Sequence, residues 1–288
     1  MPEKKHESAS VTPDVRESAP VLPFLRWAGG KRWLVPQVRE LLANTPVVRY
    51  HEPFVGGGSV FFSLEPTGPA YLSDLNTDLI EVYRQVRDAP SELAGRLSQY
   101  QNTSEAYYAA RASRPSDPIE RAARFIFLNH TSYNGIFRVN LKGEYNVPFG
   151  NRKSTNIPDE RWLTKAAGLL HGAEINGGDF ERALGEVVEG DLVFLDPPYT
   201  VAHNNNGFVK YNQHLFSFAD QERLAVAIKD LSTRGAHFIL TNAAHISIER
   251  LFSPLGRRLT VSRRNSVGGK EASRGQAEEY VFTNIEAK

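Results

Sequence analysis

The sequence predicts an α/β protein with a mostly parallel β-sheet and helices on both faces. Short apolar runs typical of strands alternate with helical patterns in the first and last thirds of the 288 residues, as a parallel sheet covered by helices requires. Two of these runs end in motifs suited to the carboxyl edge of such a sheet. A glycine cluster follows the first run, and Asp-Pro-Pro-Tyr follows the fourth.

Seven short β-like runs are the predicted strands. They cover residues 47–51, 70–72, 173–175, 192–195, 237–241, 258–262 and 279–283. We expect the last two to form a hairpin around the turn at Gly268 and Gly269.

The middle third has a different pattern. Helical segments at 91–100 and 119–130 precede a polar, aromatic stretch at 131–156. We therefore predict an inserted, mainly helical subdomain at 79–162. The main α/β domain would then consist of residues 21–78 and 163–288.

Composition excludes several classes of protein. Hydrophobic residues make up 41% of the chain, yet no apolar run approaches the roughly 18 residues that span a bilayer, so we expect a soluble protein. Residues 1–20 hold almost no large apolar side chains and no signal-peptide core, which predicts a disordered tail. The chain has no cysteine, which excludes thiolate metal sites and a cysteine nucleophile. None of the eight histidines has a metal-ligand spacing, so we predict no metal requirement.

The glycine cluster predicts a cofactor site. Gly56 and Gly58 follow a strand and precede a helix, where glycines let the backbone turn close to a ligand. Phe61 stands where a dinucleotide fingerprint requires glycine or alanine. Asp74 ends the next strand, where a carboxylate can accept hydrogen bonds from ribose hydroxyls. A structural glycine turn followed by a helix-capping Asp remains the alternative.

A second glycine segment lies upstream, in Trp-Ala-Gly-Gly-Lys at 27–31. A phosphate-binding loop is excluded, because no glycine precedes Gly30 by five residues and Arg32 takes the Ser/Thr position. As part of a cofactor site the segment is more plausible. Trp27 offers an aromatic surface, and Lys31 is within reach of a ligand.

Asp196, Pro197, Pro198 and Tyr199 form the predicted catalytic motif, directly after the apolar strand at 192–195. The Asp196 carboxylate and the Pro197 carbonyl can both accept hydrogen bonds from an exocyclic amino group, while Tyr199 stacks on the base. The two hydrogen bonds draw the lone pair of the amino nitrogen out of conjugation with the base ring. The motif would therefore act by positioning and electrostatics. Cytosine C5 methylation needs a cysteine and is excluded. A base inside a duplex would have to be flipped out.

Together these motifs resemble the Dam-like family (D12 class, alpha-group) of adenine-N6 DNA methyltransferases, in order and in spacing, over roughly residues 21–284. The resemblance implies a Rossmann-like fold, S-adenosylmethionine (SAM) as cofactor and double-stranded DNA as substrate. Including the two glycines of the cluster, the predicted cofactor residues are Trp27, Lys31, Phe54, Gly56, Gly58, Asp74, Asp179, Phe180 and Asp196.

The insert resembles the family's recognition segment. Tyr133 would wedge into the base stack, Asn134 would bond an unpaired base edge, and Arg138 would read guanine O6 and N7. GATC is therefore the expected site, although Arg26 replaces a common lysine and residues 130–132 differ from the usual ones, which leaves the outer bases open. The predicted DNA-binding residues are Arg26, Tyr133, Asn134, Ile136, Arg138, Pro148, Arg263, Arg264 and Lys270.

The basic stretch at 257–274 would contact phosphates, giving salt-dependent affinity without sequence choice. Two alternatives stay open: an amino-nitrogen methyltransferase acting on cytosine N4, RNA or a protein amide, and a DNA-binding relative without catalysis. We expect a location in the prokaryotic cytoplasm or nucleoid, or a phage origin. A cognate restriction endonuclease is a possible partner in the cell.

Overall fold

The computed structural model describes residues 20–140, 143–200, 216–264 and 276–286. Its centre is a seven-stranded sheet in the order β3-β2-β1-β4-β5-β7-β6. Adjacent strands are parallel from β3 to β5, whereas β7 is antiparallel to both β5 and β6. The strands are β1 (Tyr50–Glu52), β2 (Ala70–Asp74), β3 (Glu174–Gly177), β4 (Leu192–Leu195), β5 (His237–Ala243), β6 (Arg257–Arg264) and β7 (Gln276–Thr283).

The predicted fold class is confirmed, and each predicted strand has a counterpart. β1 is shorter than predicted, because residues 47–49 precede it as a loop in which the Val48 amide bonds the carbonyl of Gly190. β6 and β7 pair antiparallel along their whole length, as the hairpin prediction requires. The proposed turn at Gly268 and Gly269 and the predicted N-terminal tail up to residue 19 lie outside the described residues.

The described part of the chain contains ten α-helices, which lie on the two faces of the sheet and in the predicted insert. They are α1 (Val35–Leu42), α2 (Phe61–Leu64), α3 (Thr77–Asp88), α4 (Pro90–Leu97), α5 (Ser104–Ala112), α6 (Pro118–Thr131), α7 (Glu160–Leu170), α8 (Phe180–Gly185), α9 (Phe218–Thr233) and α10 (Ile246–Phe252). Side-chain oxygens cap several of them; at α9, Ser217 and Asp220 form a reciprocal capping box. None of these helices is both long and apolar enough to cross a membrane.

Strand periodicity divides the core between the two faces. In β4, Leu192 and Phe194 belong to one apolar cluster, whereas Val193 and Leu195 belong to the other. The first cluster includes residues of α1 to α7, and the second includes residues of α8 to α10. A strand buried on both faces reads as a continuous apolar run, which is why β4 could be recognised in the sequence.

The predicted insert contains α4 to α6 and a loop region with two short bridges, Ser132 to Phe149 and Val139 to Tyr145. Helix α3 spans its predicted start and packs close to the sheet, where the Arg84 guanidinium donates to the carbonyl of Ile175 in β3. The division of the chain into units at 21–78, 79–162 and 163–288 stays a prediction.

The strand order positions the site. From β1 the chain proceeds outward through β2 to β3, then returns to place β4 on the other side of β1. Such a reversal opens a crevice at the carboxyl ends of the two central strands, where open α/β sheets bind ligands. The glycine cluster follows β1 and Asp-Pro-Pro-Tyr follows β4, so both motifs lie at this crevice.

Candidate active site at the carboxyl edge of the sheet

The glycine turn after β1 requires glycine on steric grounds. Gly56 and Gly58 have φ angles of +47° and +65°, which most side chains avoid. A Cβ on Gly58 would lie 2.5 Å from the Tyr83 hydroxyl, and one on Gly56 would lie 2.8 Å from the Trp27 indole nitrogen. The turn is therefore enclosed by aromatic side chains, and Trp27 from the upstream segment lies over it.

Asp74, at the end of β2, supports the same turn. One carboxylate oxygen accepts from the Gly56 amide at 3.0 Å and the other from the Asn76 amide at 2.9 Å. Burial raises the pKa of Asp74, and the two amides partly counteract this. Because each carboxylate oxygen can accept more than one hydrogen bond, a ribose can still bond to Asp74 while the residue holds the turn.

Phe54 and Phe180 form an aromatic wall beside the turn, with ring centroids 5.4 Å apart, and Phe216 closes it at 5.6 Å from Phe54. Asp179 caps α8 through the Glu181 amide, which directs Phe180 inward. The Arg223 guanidinium bonds Asp179 at 2.9 Å and lies over the Phe180 ring. The wall is suited to a planar ligand.

Lys31 is almost fully buried, with 2% of its surface exposed. Its ammonium donates to the carbonyl of Gly29 at 2.7 Å and lies 3.0 Å from Asp196 and 3.7 Å from Glu279. It also lies 5.0 Å from the centre of the Tyr199 ring. The glycine segment at 27–31 thus places a cation against the predicted catalytic motif.

Asp196 is held through one oxygen. Oδ1 accepts from the Thr241 hydroxyl at 2.6 Å and pairs with Lys31, whereas Oδ2 has no hydrogen-bond partner among the described residues. About a quarter of the side chain, 23%, is exposed. Burial raises the pKa of Asp196, while the Lys31 ammonium and the Thr241 hydroxyl oppose that rise. The partly exposed carboxylate therefore keeps one oxygen available as an acceptor.

Tyr199 is fixed at its far end. Its hydroxyl donates to Glu279 Oε2 at 2.8 Å. Burial and the nearby Asp196 and Glu279 charges raise the pKa of Tyr199 well above its ordinary value. The phenol consequently stays protonated and remains a donor.

The sequence interpretation assigned no role to two buried carboxylates at this edge. Glu52 ends β1 and accepts from the Tyr50 hydroxyl at 2.7 Å; burial raises its pKa to about 8. Glu279 shares one face of β7 with Val281 and Thr283, and all three are buried. A charged residue in line with the uncharged residues of one strand face was the signal available for Glu279.

A buried amide pair holds the chain after Pro198. Gln221 and Asn242 are both fully buried, and Asn242 donates to Gln221 at 2.9 Å. The Gln221 amide in turn lies 3.5 Å from the Pro198 carbonyl and from the Thr200 hydroxyl. No sequence motif indicated this pair, because the two amides are remote in sequence and only the fold brings them together.

The predicted recognition segment packs on the glycine segment at 27–31. Phe137 stacks on Trp27 with centroids 5.5 Å apart. The Asn129 side chain bonds both the amide and the carbonyl of Arg26 at 2.8 Å, and the Arg26 side chain lies against Gly135, whose φ is +64°. Residues 24–27 therefore contact both the glycine turn and the predicted recognition region.

The predicted base-reading residues lie at the surface of that region. Tyr133 is 55% exposed, Asn134 has a φ of 55°, and Arg138 is exposed with its Nε bonded to Asn146. Pro148 is exposed and its carbonyl accepts from the Tyr133 amide, while Ile136 is half-buried.

The predicted phosphate-binding residues are only partly described. The backbones of Arg263 and Arg264 form the end of β6, and Lys270 lies outside the described residues. In the described ranges, no group of three or more His, Cys, Asp or Glu side chains is arranged to hold a metal ion.

The sheet order, the antiparallel β7 and the motif after β4 together define the Rossmann-like class of methyltransferases. A structural neighbour is the precorrin-6y C5,15-methyltransferase from Geobacter metallireducens, at 9% identity and a TM-score of 0.41 over 92% of this chain and 97% of that one.

Sequence comparison narrows the class. The sequence profile of the D12 class N6 adenine-specific DNA methyltransferases matches residues 27–266. A type II methyltransferase of Lactococcus lactis subsp. cremoris is 35% identical over 273 residues, covering 91% of this chain and 95% of its own. A DNA adenine methylase of Serratia marcescens is 36% identical, covering 73% and 78%. The chain therefore belongs to the D12 class N6 adenine-specific DNA methyltransferase family.

Proposed function

We propose that this protein transfers a methyl group from SAM to adenine N6 at a specific site in duplex DNA, with the target base flipped out of the helix. The observation that carries the proposal is the geometry of Asp196. One oxygen is anchored by Lys31 and Thr241, the other has no hydrogen-bond partner among the described residues, and the side chain is 23% exposed at the end of β4, while the Tyr199 hydroxyl is bonded to Glu279.

The residues at the crevice fit SAM. The turn at Gly56 and Gly58 has no room for side chains, so its bare backbone can lie close to a ligand, Asp74 suits ribose hydroxyls, and the Phe54 and Phe180 rings suit an adenine. We assign Trp27, Lys31, Asp179 and Asp196 to the same site. When bound, SAM would supply an electrophilic methyl group.

The side chains of the motif act on the target base by position and charge. Asp196 Oδ2 and the Pro197 carbonyl would accept hydrogen bonds from the two N–H groups of the adenine amino nitrogen. The lone pair of that nitrogen would then point out of the ring plane. Tyr199 would stack on the flipped base. Burial raises the pKa of Asp196, and the Lys31 ammonium opposes that rise and so favours the ionised, accepting form of the carboxylate. Pro198 prevents the chain from continuing β4 and leads it into the loop.

We assign the recognition region to a GATC or related GA-containing site. Exposed Tyr133 and Arg138 suit a base-stack wedge and a guanine reader, supported by Asn134, Ile136, Pro148 and Arg26. The end of β6 and Lys270 would add phosphate contacts. Acting on DNA, the enzyme would work in the prokaryotic cytoplasm or nucleoid, alone or beside a cognate restriction endonuclease.

The Asp196→Asn variant tests the chemistry. An amide keeps the size of the side chain but replaces one acceptor oxygen with a donor, so we expect at least a hundredfold loss of single-turnover rate. SAM should still bind, as calorimetry can measure, because the turn and the aromatic wall are unchanged.

Methylation-sensitive sequencing of DNA from cells that express the wild-type protein tests base and site together. N6-methyladenine at GATC is the expected product. N4-methylcytosine, or the absence of a DNA product, would contradict the adenine assignment. N6-methyladenine at another site would contradict only GATC.

A further inference from the structure

The direction of β7 brings Glu279 to the catalytic edge. The parallel strands present their carboxyl ends there, whereas the antiparallel β7 presents residues near its start. Glu279 pairs in register with Ala243, the last residue of β5. Its side chain is 3% exposed, so the fold buries a carboxylate at this position.

Two contacts connect Glu279 to the catalytic motif. Its Oε2 accepts a hydrogen bond from the Tyr199 hydroxyl, with the two oxygens 2.8 Å apart, and lies 3.7 Å from the Lys31 ammonium. The same ammonium pairs with Asp196 at 3.0 Å. A hydrogen bond to an ionised acceptor is shorter and stronger than a neutral one, and it acts at the end of the ring remote from the backbone. The ring of Tyr199 is thereby held at both ends.

The charge balance of this cluster also matters. Among the described residues, the Lys31 ammonium lies within 4 Å of two carboxylates, Asp196 and Glu279. Removing the Glu279 charge would leave Lys31 paired with Asp196 alone, and would loosen the ring of Tyr199 without changing the turn at Gly56 and Gly58 or the wall formed by Phe54 and Phe180. The change should therefore affect the target base more strongly than SAM binding, because among the groups assigned to the cofactor it alters only the surroundings of Lys31 and Asp196.

We propose that Glu279 is a positioning residue, which acts through the Tyr199 hydroxyl to orient the ring that stacks on the target adenine. This inference rests on the proposed function. Stacking depends on the relative orientation of the two rings, so a ring free to tilt would hold the flipped base in fewer reactive geometries.

The Glu279→Gln variant removes the charge and keeps the volume. We expect a loss of single-turnover rate on the order of tenfold and a SAM dissociation constant that changes less than about threefold. The matched control is Glu278→Gln, because Glu278 is the preceding residue on the same strand and is exposed. The control should keep the wild-type rate.

Tyr199→Phe tests the route, since it deletes the hydroxyl and keeps the ring. If Glu279 acts through that hydroxyl, the double variant should be no slower than the slower single variant, because coupled residues are not additive. A duplex with 2-aminopurine at the target position gives a readout without methyl transfer. Emission from its complex should be brighter with either variant than with wild type, because the flipped base stacks less.

Three results would overturn the inference: a Glu279→Gln rate and emission equal to those of Glu278→Gln, rate losses that multiply in the double variant, or a SAM affinity that falls in parallel with the rate. If Glu279→Gln does not fold, Tyr199→Phe must still lose rate while it binds SAM, and a wild-type rate would refute the idea. A wild-type enzyme without adenine product would instead sink the proposed function, and this inference with it.

Discussion

The Glu52→Gln variant should change how the free energy of unfolding depends on pH. Glu52 is 3% exposed. Burial raises its pKa from 4.5 to about 8, against the hydrogen bond from Tyr50, and the charge of Asp196 adds to the rise. Glutamine has nearly the same shape as the protonated carboxyl and does not titrate. The two proteins therefore differ in one buried ionisation.

The sign and the size follow from proton linkage. Below pH 4.5 both the folded and the unfolded states bind the proton; between pH 4.5 and 8 the unfolded state releases it while folded Glu52 retains it, so stability falls as pH rises. A pKa rise of about 3.5 at about 1.4 kcal/mol per pH unit gives about 5 kcal/mol as an upper bound, because local relaxation and water entry reduce the penalty. We expect wild type to lose about 2–4 kcal/mol relative to the variant between pH 5 and pH 9.

Urea unfolding of both proteins at pH 5, 7 and 9 measures this difference. A constant offset between the curves reflects packing of the amide, whereas the part that changes with pH belongs to the carboxyl of Glu52. All other titrating groups are present in both proteins and cancel to first order. Curves that run parallel from pH 5 to pH 9 would refute a raised pKa at Glu52.

Two further substitutions test the frame of the site by urea unfolding at pH 7. Gly58→Ala should lose about 2–4 kcal/mol, because φ is +65° and the new Cβ would lie 2.5 Å from the Tyr83 hydroxyl. Gly168→Ala, in an open position of α7, is its control and should gain about 0.5–1 kcal/mol; equal effects would contradict the steric argument. Arg49→Met should lose about 2–4 kcal/mol, because it removes the bidentate partner of fully buried Asp191 and leaves His51 and the Val188 amide as the other partners of that carboxylate. A loss below about 1 kcal/mol would mean that the ion pair adds little.

The sequence predicted β4 well because a parallel strand buried on both faces is a continuous apolar run. Leu192 to Leu195 faces apolar clusters on both sides, so every position in that run is constrained. The glycine turn was also predictable, since a positive φ at Gly56 and Gly58 is a backbone demand that only one residue type meets readily.

Long-range side-chain partners were not predictable in the same way. The sequence predicted that Lys31 reaches a ligand. In the structure its ammonium pairs with Asp196 and Glu279, which lie at least 165 positions further along the chain. The position of Glu279 depends on β7 running antiparallel, which places its early residues beside the late residues of β5. Local sequence patterns predict that a segment is a strand, but they do not predict which residues of two strands pair with each other.

The attachment of residues 24–27 limits how the enzyme could be retargeted by grafting. His130 bonds the carbonyl of Phe24, Asn129 clamps the backbone of Arg26, and Phe137 stacks on Trp27. A foreign insert of residues 79–162 would arrive without its own counterpart of this N-terminal strip. A functional chimera therefore has to replace residues 24–27 and the predicted insert at 79–162 together, even though more than fifty residues separate them in the chain.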